Sequence, residues 1–161
     1  MATDRISERR QRGLSGLALR RAQFAACLLL IVQYLLGMAV NLFVTVPAHH
    51  PGAKASNYFA GVVDGIAWVI PHGEFWLILH AALGLALVVA ALAVAVAASR
   101  AGGRSAAITS GLGALAIIGA GFNGASFLNY GQNFSSMIMA ALWAVALGSY
   151  LTGLYLGPRT A

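Results

Sequence analysis

The sequence predicts an all-α fold, a four-helix transmembrane bundle with an extra interfacial or re-entrant helix in its first outer link. Three observations predict it. Four long apolar runs, at about 24–46, 75–98, 106–128 and 137–156, occupy most of the 161 residues. Each supplies the roughly 20 helical residues needed to cross a hydrocarbon core about 30 Å thick. Apolar residues make up 60% of the chain and charged residues 9%, against about 25% charged in a typical soluble domain. Finally, the basic residues are gathered on one side of the runs.

Six of the ten basic residues, Arg5, Arg9, Arg10, Arg12, Arg20 and Arg21, precede the first run. Arg100 and Arg104 flank the link between the second and third runs, and Arg159 follows the fourth. Only Lys54 falls on the other side. This positive-inside asymmetry predicts a multi-pass protein of the bacterial plasma membrane with cytoplasmic N- and C-termini. The chain divides into a basic cytoplasmic tail, 1–21, and a transmembrane domain, 22–157. The lipid bilayer is the expected surroundings, and the tail is expected to touch anionic headgroups, at about 1 kcal/mol per basic residue. No nucleic acid is expected, because the net charge of +6 comes with no folded nucleic-acid-binding module. The first run is too long for the 7–15 apolar residues of a cleaved leader, so it is read as a span.

In the first helix Gln33, Gly37 and Asn41 recur at every fourth position and share one face. A polar and small stripe of that kind belongs against other helices rather than lipid. Pro47 ends this helix, and His49-His50-Pro51-Gly52 reads as a turn. The segment 57–70 is apolar but too short to span, which suggests the extra helix. The second helix carries His80, with His72 and Trp76 on the same face if the helix begins early. A short basic link forces an antiparallel hairpin with the third helix. There Ala116, Ala120 and Gly124 form a line of small residues, and in the fourth helix Ser136, Ala140, Ala144, Gly148 and Thr152 form another. Both are expected to pack inside a tight bundle. The lone Cys27 reads as a packing residue.

Polar residues cluster at the outer end. Gln33, Asn41, His80, Asn123 and Asn129 are expected to line a polar vestibule, and the amide-rich stretch after residue 128 reads as a loop. The cytoplasmic half is basic and otherwise featureless. His80 is the principal candidate, because an ionisable group inside a span is costly in lipid and is kept for a role. Its imidazole can bind haem or a metal, with Met38 as a candidate thioether partner. Its structural alternative is a neutral histidine hydrogen-bonded to a neighbouring helix. His49, His50 and His72 are candidate ligands for an exposed metal, since imidazole suits copper or zinc. No P-loop, nucleophile elbow, HExxH or CxxC occurs, so no catalytic residue is assigned.

Two stretches, Asn41–Gly52 (NLFVTVPAHHPG) and Gly121–Tyr130 (GFNGASFLNY), carry a likeness. The chain resembles an uncharacterised group of small four-helix integral membrane proteins of high-GC Gram-positive bacteria. The bundle is loosely similar to the four-helix halves of haem A synthase and b-type cytochromes, which implies haem b as a cofactor. It departs from them in lacking paired intramembrane histidines. The leading expectation is a non-enzymatic membrane subunit or scaffold that binds a membrane protein partner or forms a homo-oligomer. The alternatives are a haem- or metal-binding electron-transfer protein using His80, and a small transporter with an outward vestibule.

Overall fold

The computed structural model describes the backbone of residues 2–101 and 103–156, and the side chains of 16–100 and 103–156. Arg159 and the end of the expected domain at Gly157 lie outside the described residues. Five helices and no strand are present among them: α1 (Ala2–Phe43), α2 (Tyr58–His72), α3 (Phe75–Ala101), α4 (Gly103–Tyr130) and α5 (Asn133–Leu156). Helices α3, α4 and α5, together with Gly16–Phe43 of α1, are each long and apolar enough to cross a membrane. The chain is therefore read as a multi-pass integral membrane protein.

The boundaries differ from expectation where hydropathy and helix propensity disagree. The basic tail is continuous with α1, because Arg, Gln, Glu, Ala and Leu are good helix formers whether or not they enter lipid. The helix stops at Phe43 although the apolar run continues to Val46. Val44, Thr45 and Val46 are β-branched, and Val46 precedes Pro47, which disfavours helical backbone. The amide-rich stretch after residue 128 is almost entirely helical. Only Gly131 and Gln132 separate α4 from α5, with Gly131 at φ 65° and its N–H donating to Phe127 O, an αL helix cap that favours glycine. Asn57 caps α2 by accepting from Ala60 N–H at 3.1 Å, which fixes where that helix starts.

The four spans form a ring in which α1 and α4 each pack on α3 and α5. Helices α1 and α4 thus stand at opposite corners. The link 44–57 crosses that diagonal: Lys54 N–H donates to Asn129 O at 3.0 Å, and His50 Nε2 lies 3.2 Å from Leu128 O. It roofs the bundle at the end where α2 lies, and α2 itself packs on α3 and α4.

The opposite half of the bundle is closed. Ala98, Ala146 and Tyr150 are fully buried there, and the Tyr150 ring lies directly on Gly113. That half is not featureless, contrary to the sequence reading. Gln23 is 1% exposed and donates to the fully buried Ser110 hydroxyl at 3.0 Å. A Cβ on Gly153 would come within 2.7 Å of both Gln23 Nε2 and Thr109 Oγ1, so glycine there lets α5 approach the α1–α4 contact. The small stripe of α5 also departs from expectation. Ser136 and Ala140 face the hollow inside the bundle, whereas Ala144, Gly148 and Thr152 are exposed, and the bundle is met there by Ala146, Tyr150 and Gly153. Tyr150, the one large side chain of the three, buries more surface than any residue of the stripe and takes the core-facing position.

Candidate functional site

Small residues explain why the roofed half of the bundle is hollow. Gly37 on α1, Gly84 on α3 and Ala120 and Gly124 on α4 all line the hollow, Leu87 and Ile117 stand where it meets the packed core, and Tyr150 fills the closed half. A cavity of about 690 Å³ results. Its wall takes Gln33, Gly37 and Asn41 from α1, His80 and Gly84 from α3, and Asn129 from α4. Ser136, Met139 and Trp143 come from α5, and His50 and Lys54 from the roof. The remaining lining is mostly aliphatic, so the polar groups stand out against apolar walls.

Four of the five expected vestibule residues, Gln33, Asn41, His80 and Asn129, therefore meet at one cavity. Asn123 does not: its amide donates to Gly119 O of its own helix at 2.9 Å, a local bond open to any helical asparagine. Gln33 and His80 form the deep polar contact. The Gln33 amide donates to His80 O at 3.1 Å and lies 3.4 Å from His80 Nε2. Gly37 leaves room for the ring, since a Cβ there would sit 3.1 Å from His80 Cε1. Gly84 does the same for Gln33, at 3.2 Å from its Nε2. Gln33 Oε1 and His80 Nδ1 are buried without a hydrogen-bond partner. The Gln33 amide thus occupies the approach to His80 Nε2, and Nδ1 is buried. Met38 lines the same cavity but is half exposed on the neighbouring position of α1.

The roof is built around His50 and Asn129. His50 stacks on Trp68 of α2, with centroids 4.7 Å apart and planes 19° apart. Its Nδ1 lies 2.9 Å from Pro51 O and its Nε2 faces Leu128 O, two acceptors for a ring that carries one N–H when neutral. Asn129 is 4% exposed and donates to Gly61 O at 2.8 Å. Gly61 and Gly65 bring α2 close enough for that bond, because a Cβ on Gly65 would lie 2.6 Å from Asn129 Oδ1. Gly52, at φ 89°, completes the contact, since a Cβ there would collide with the Gly61 carbonyl.

The α2 N-terminus reaches along α4. Tyr58 OH lies 2.8 Å from Ser126 Oγ and donates to Phe122 O at 3.0 Å. Phe122 is eight residues before the end of α4, about 12 Å down the helix by the rise per residue.

No known protein family, curated protein or solved structure matches the chain. The expected metal group does not assemble. Among the described residues no three His, Cys, Asp or Glu side chains gather in a way that could hold a metal ion. His49 is exposed, His50 is engaged in the roof, and His72 closes α2 with its Nδ1 3.3 Å from Trp68 O. His72 also leaves the face of His80, because α2 ends there and α3 begins afresh at Phe75. The buried group Gln23, Thr109, Ser110 and Tyr150 was missed in the sequence. Its one legible signal was Gln23, an amide between Arg21 and the start of the first apolar run.

Proposed function

We propose that this membrane protein holds a small, mainly apolar molecule with one polar group in the roofed cavity. The observation that carries the reading is the convergence of Gln33, Asn41, His80 and Asn129, from three helices, on one hollow with aliphatic walls. Ligand pockets combine largely apolar walls with a few placed polar groups, at about 300–1,000 Å³, and this cavity falls within that range. Gln33 and His80 supply a donor and acceptors at depth, and the roof controls entry. The positive-inside charge pattern supports an outward-facing mouth, so uptake or presentation of the ligand from outside follows.

The test is extraction of the protein purified from its native membrane and mass spectrometry of what it carries. A single species in near-stoichiometric amount is expected, and Ala120→Phe, which fills the cavity, should remove it. Equal recovery from the filled variant would refute the reading.

A scaffold role is the second reading, and the exposed line Ala144, Gly148 and Thr152 favours it. Small residues in lipid let a further helix approach closely. Cysteine placed at Ala144 in a Cys27→Ser background should then cross-link to a second copy or to a partner in native membranes. A product absent at that position, with the protein intact, counts against it.

A further inference from the structure

The hollow at the roofed end is walled unevenly. Toward α3 and α4 its lining residues Val69, Leu87, Ala125 and Asn129 are buried. Between α1 and α5, Tyr34 and Met38 line it yet are 43% and 41% exposed. Asn41 and Ala140, on the same two helices, line it and are exposed as well. The roof accounts for the difference. The link 44–57 runs from α1 across to α4, and α2 packs on α3 and α4, so both cover the α3 side of the bundle. Entry is thereby directed to the α1–α5 side.

The seam between α1 and α5 closes at Tyr34. That ring packs on Trp143, with centroids 4.7 Å apart, and the Trp143 indole N–H donates to Leu30 O at 2.7 Å. Above this pair the exposed Met38, Asn41 and Ala140 flank a slit. Tyr34 lies nine positions before the end of α1, and Ala140 seven after the start of α5. Those separations are about 14 and 10 Å along the helix axes, and half of a hydrocarbon core is about 15 Å. The slit therefore opens on acyl chains rather than on water. Leu42 and Phe134, both exposed, carry the apolar surface on to the helix ends.

A molecule that enters there is already dissolved in the membrane, and its head must suit what it meets inside. Among the described residues no carboxylate lines the hollow, and its one lysine, Lys54, belongs to the roof on the α4 side. Gln33 and Asn41 offer amides, which both donate and accept. A hydroxyl matches them, since it gives one hydrogen bond and takes another. A carboxylate or phosphate head would give up its hydration for neutral partners.

We propose that a lipid with an uncharged, hydroxyl-bearing head enters the cavity sideways, from the leaflet at the roofed end, through the slit between α1 and α5. This rests on the cavity being a ligand site, and adds the class of ligand and its way in.

The test is photolabelling in phosphatidylcholine vesicles. The probe is hexadecanol with a diazirine in its chain, and hexadecanoic acid with the diazirine at the same carbon is the second arm. The alcohol is expected to label the inner wall of α4 at Ala120 and Gly124. Both probes should label Val89, 69% exposed on the outside of α3. Met38→Cys/Ala140→Cys in a Cys27→Ser background, bridged across the slit by a bis-methanethiosulfonate, should lose the α4 label and keep that at Val89. Reductant removes the bridge and should restore the α4 label, which separates a closed slit from a filled cavity. If no bridge forms, Met38→Trp at the rim should lose the α4 label in its place. An α4 label retained under the bridge, or in Met38→Trp, would overturn entry through the slit. Equal α4 labelling by the acid would overturn the uncharged head. Absence of the α4 label from the wild type would sink the proposal alone if Ala120→Phe still removes a carried species. If that variant removes nothing, the cavity is no ligand site and both ideas fall.

Discussion

Gln33 and His80 are joined across the α1–α3 interface by one amide, which donates to the His80 backbone at 3.1 Å and faces the ring at 3.4 Å. Each residue also keeps one buried polar atom without a partner. Removing Gln33 strands His80 Nε2, its partner across the interface, whereas His80→Leu leaves the backbone acceptor of the Gln33 amide in place. Interhelical hydrogen bonds in membranes average only about 0.6 kcal/mol, whereas a stranded buried group costs about 1–3 kcal/mol. The second effect should dominate. Gln33→Leu is expected to lose about 1 kcal/mol and His80→Leu less, and the double variant to lose less than their sum. Unfolding by SDS titration in mixed micelles gives all three values, and strict additivity would refute the coupling.

The contact of α2 with α4 depends on a hydrogen atom at Gly65. A Cβ there would meet Asn129 Oδ1 at 2.6 Å, so Gly65→Ala should push α2 from its seat. Asn129→Ala should restore the fit by removing the obstruction, at the expense of the bond to Gly61 O. Val62 is 7% exposed on this face and reports on it when replaced by cysteine in a Cys27→Ser background. Maleimide labelling should be about tenfold faster with Gly65→Ala, equivalent to about 1.4 kcal/mol of easier local opening. The added Asn129→Ala should slow it again. Unchanged labelling in Gly65→Ala would show that the contact takes the added methyl group without moving α2.

Hydropathy alone located the spans because lipid imposes a length on every crossing segment, and Phe75 marks a start that the sequence also marked. It misplaced the end of α1, where Val44, Thr45 and Val46 are as apolar as a helix but are stopped by branching and by Pro47. The vestibule was legible because Gln33, Asn41, His80 and Asn129 are rare polar residues in the same half of their spans. Asn123 lies in that half too, yet satisfies itself within its own turn, which no spacing distinguishes. The outward turn of the α5 stripe was hidden for another reason. Small residues at fours mark a face on which helices can approach, but not whether Tyr150 and Ala146 on another edge occupy the core first.

Tyr150 and Gly113 give paired predictions of opposite sign. The ring is fully buried and its hydroxyl has no partner, so Tyr150→Phe removes an unsatisfied group while keeping the packing. It should be neutral or stabilising by up to about 1 kcal/mol. Gly113→Ala would place a Cβ 2.8 Å from Tyr150 Cζ, and such overpacking costs about 1–3 kcal/mol. Thermal unfolding followed by intrinsic fluorescence separates the two. A destabilised Tyr150→Phe would mean that the hydroxyl does find a partner in the folded protein.

The direction of the bundle decides what can reach the cavity, and the charges that set it can be tested at two exposed turns. Gln132 lies in the turn between α4 and α5, at the cavity end, and Ser105 opens α4 at the other end beside Arg104; both are exposed. Arg100 and Arg104 should hold the α3–α4 turn in the cytoplasm, since short basic loops resist translocation. In intact cells, with Cys27→Ser removing the one native thiol, cysteine at Gln132 should react with a membrane-impermeant maleimide and cysteine at Ser105 should not. After lysis both should react, which shows that protection at Ser105 is due to the membrane rather than to burial. The reverse pattern in intact cells would turn the bundle over. The roof of His50 and Lys54 would then face the cytoplasm, and the cavity would draw its ligand from inside the cell.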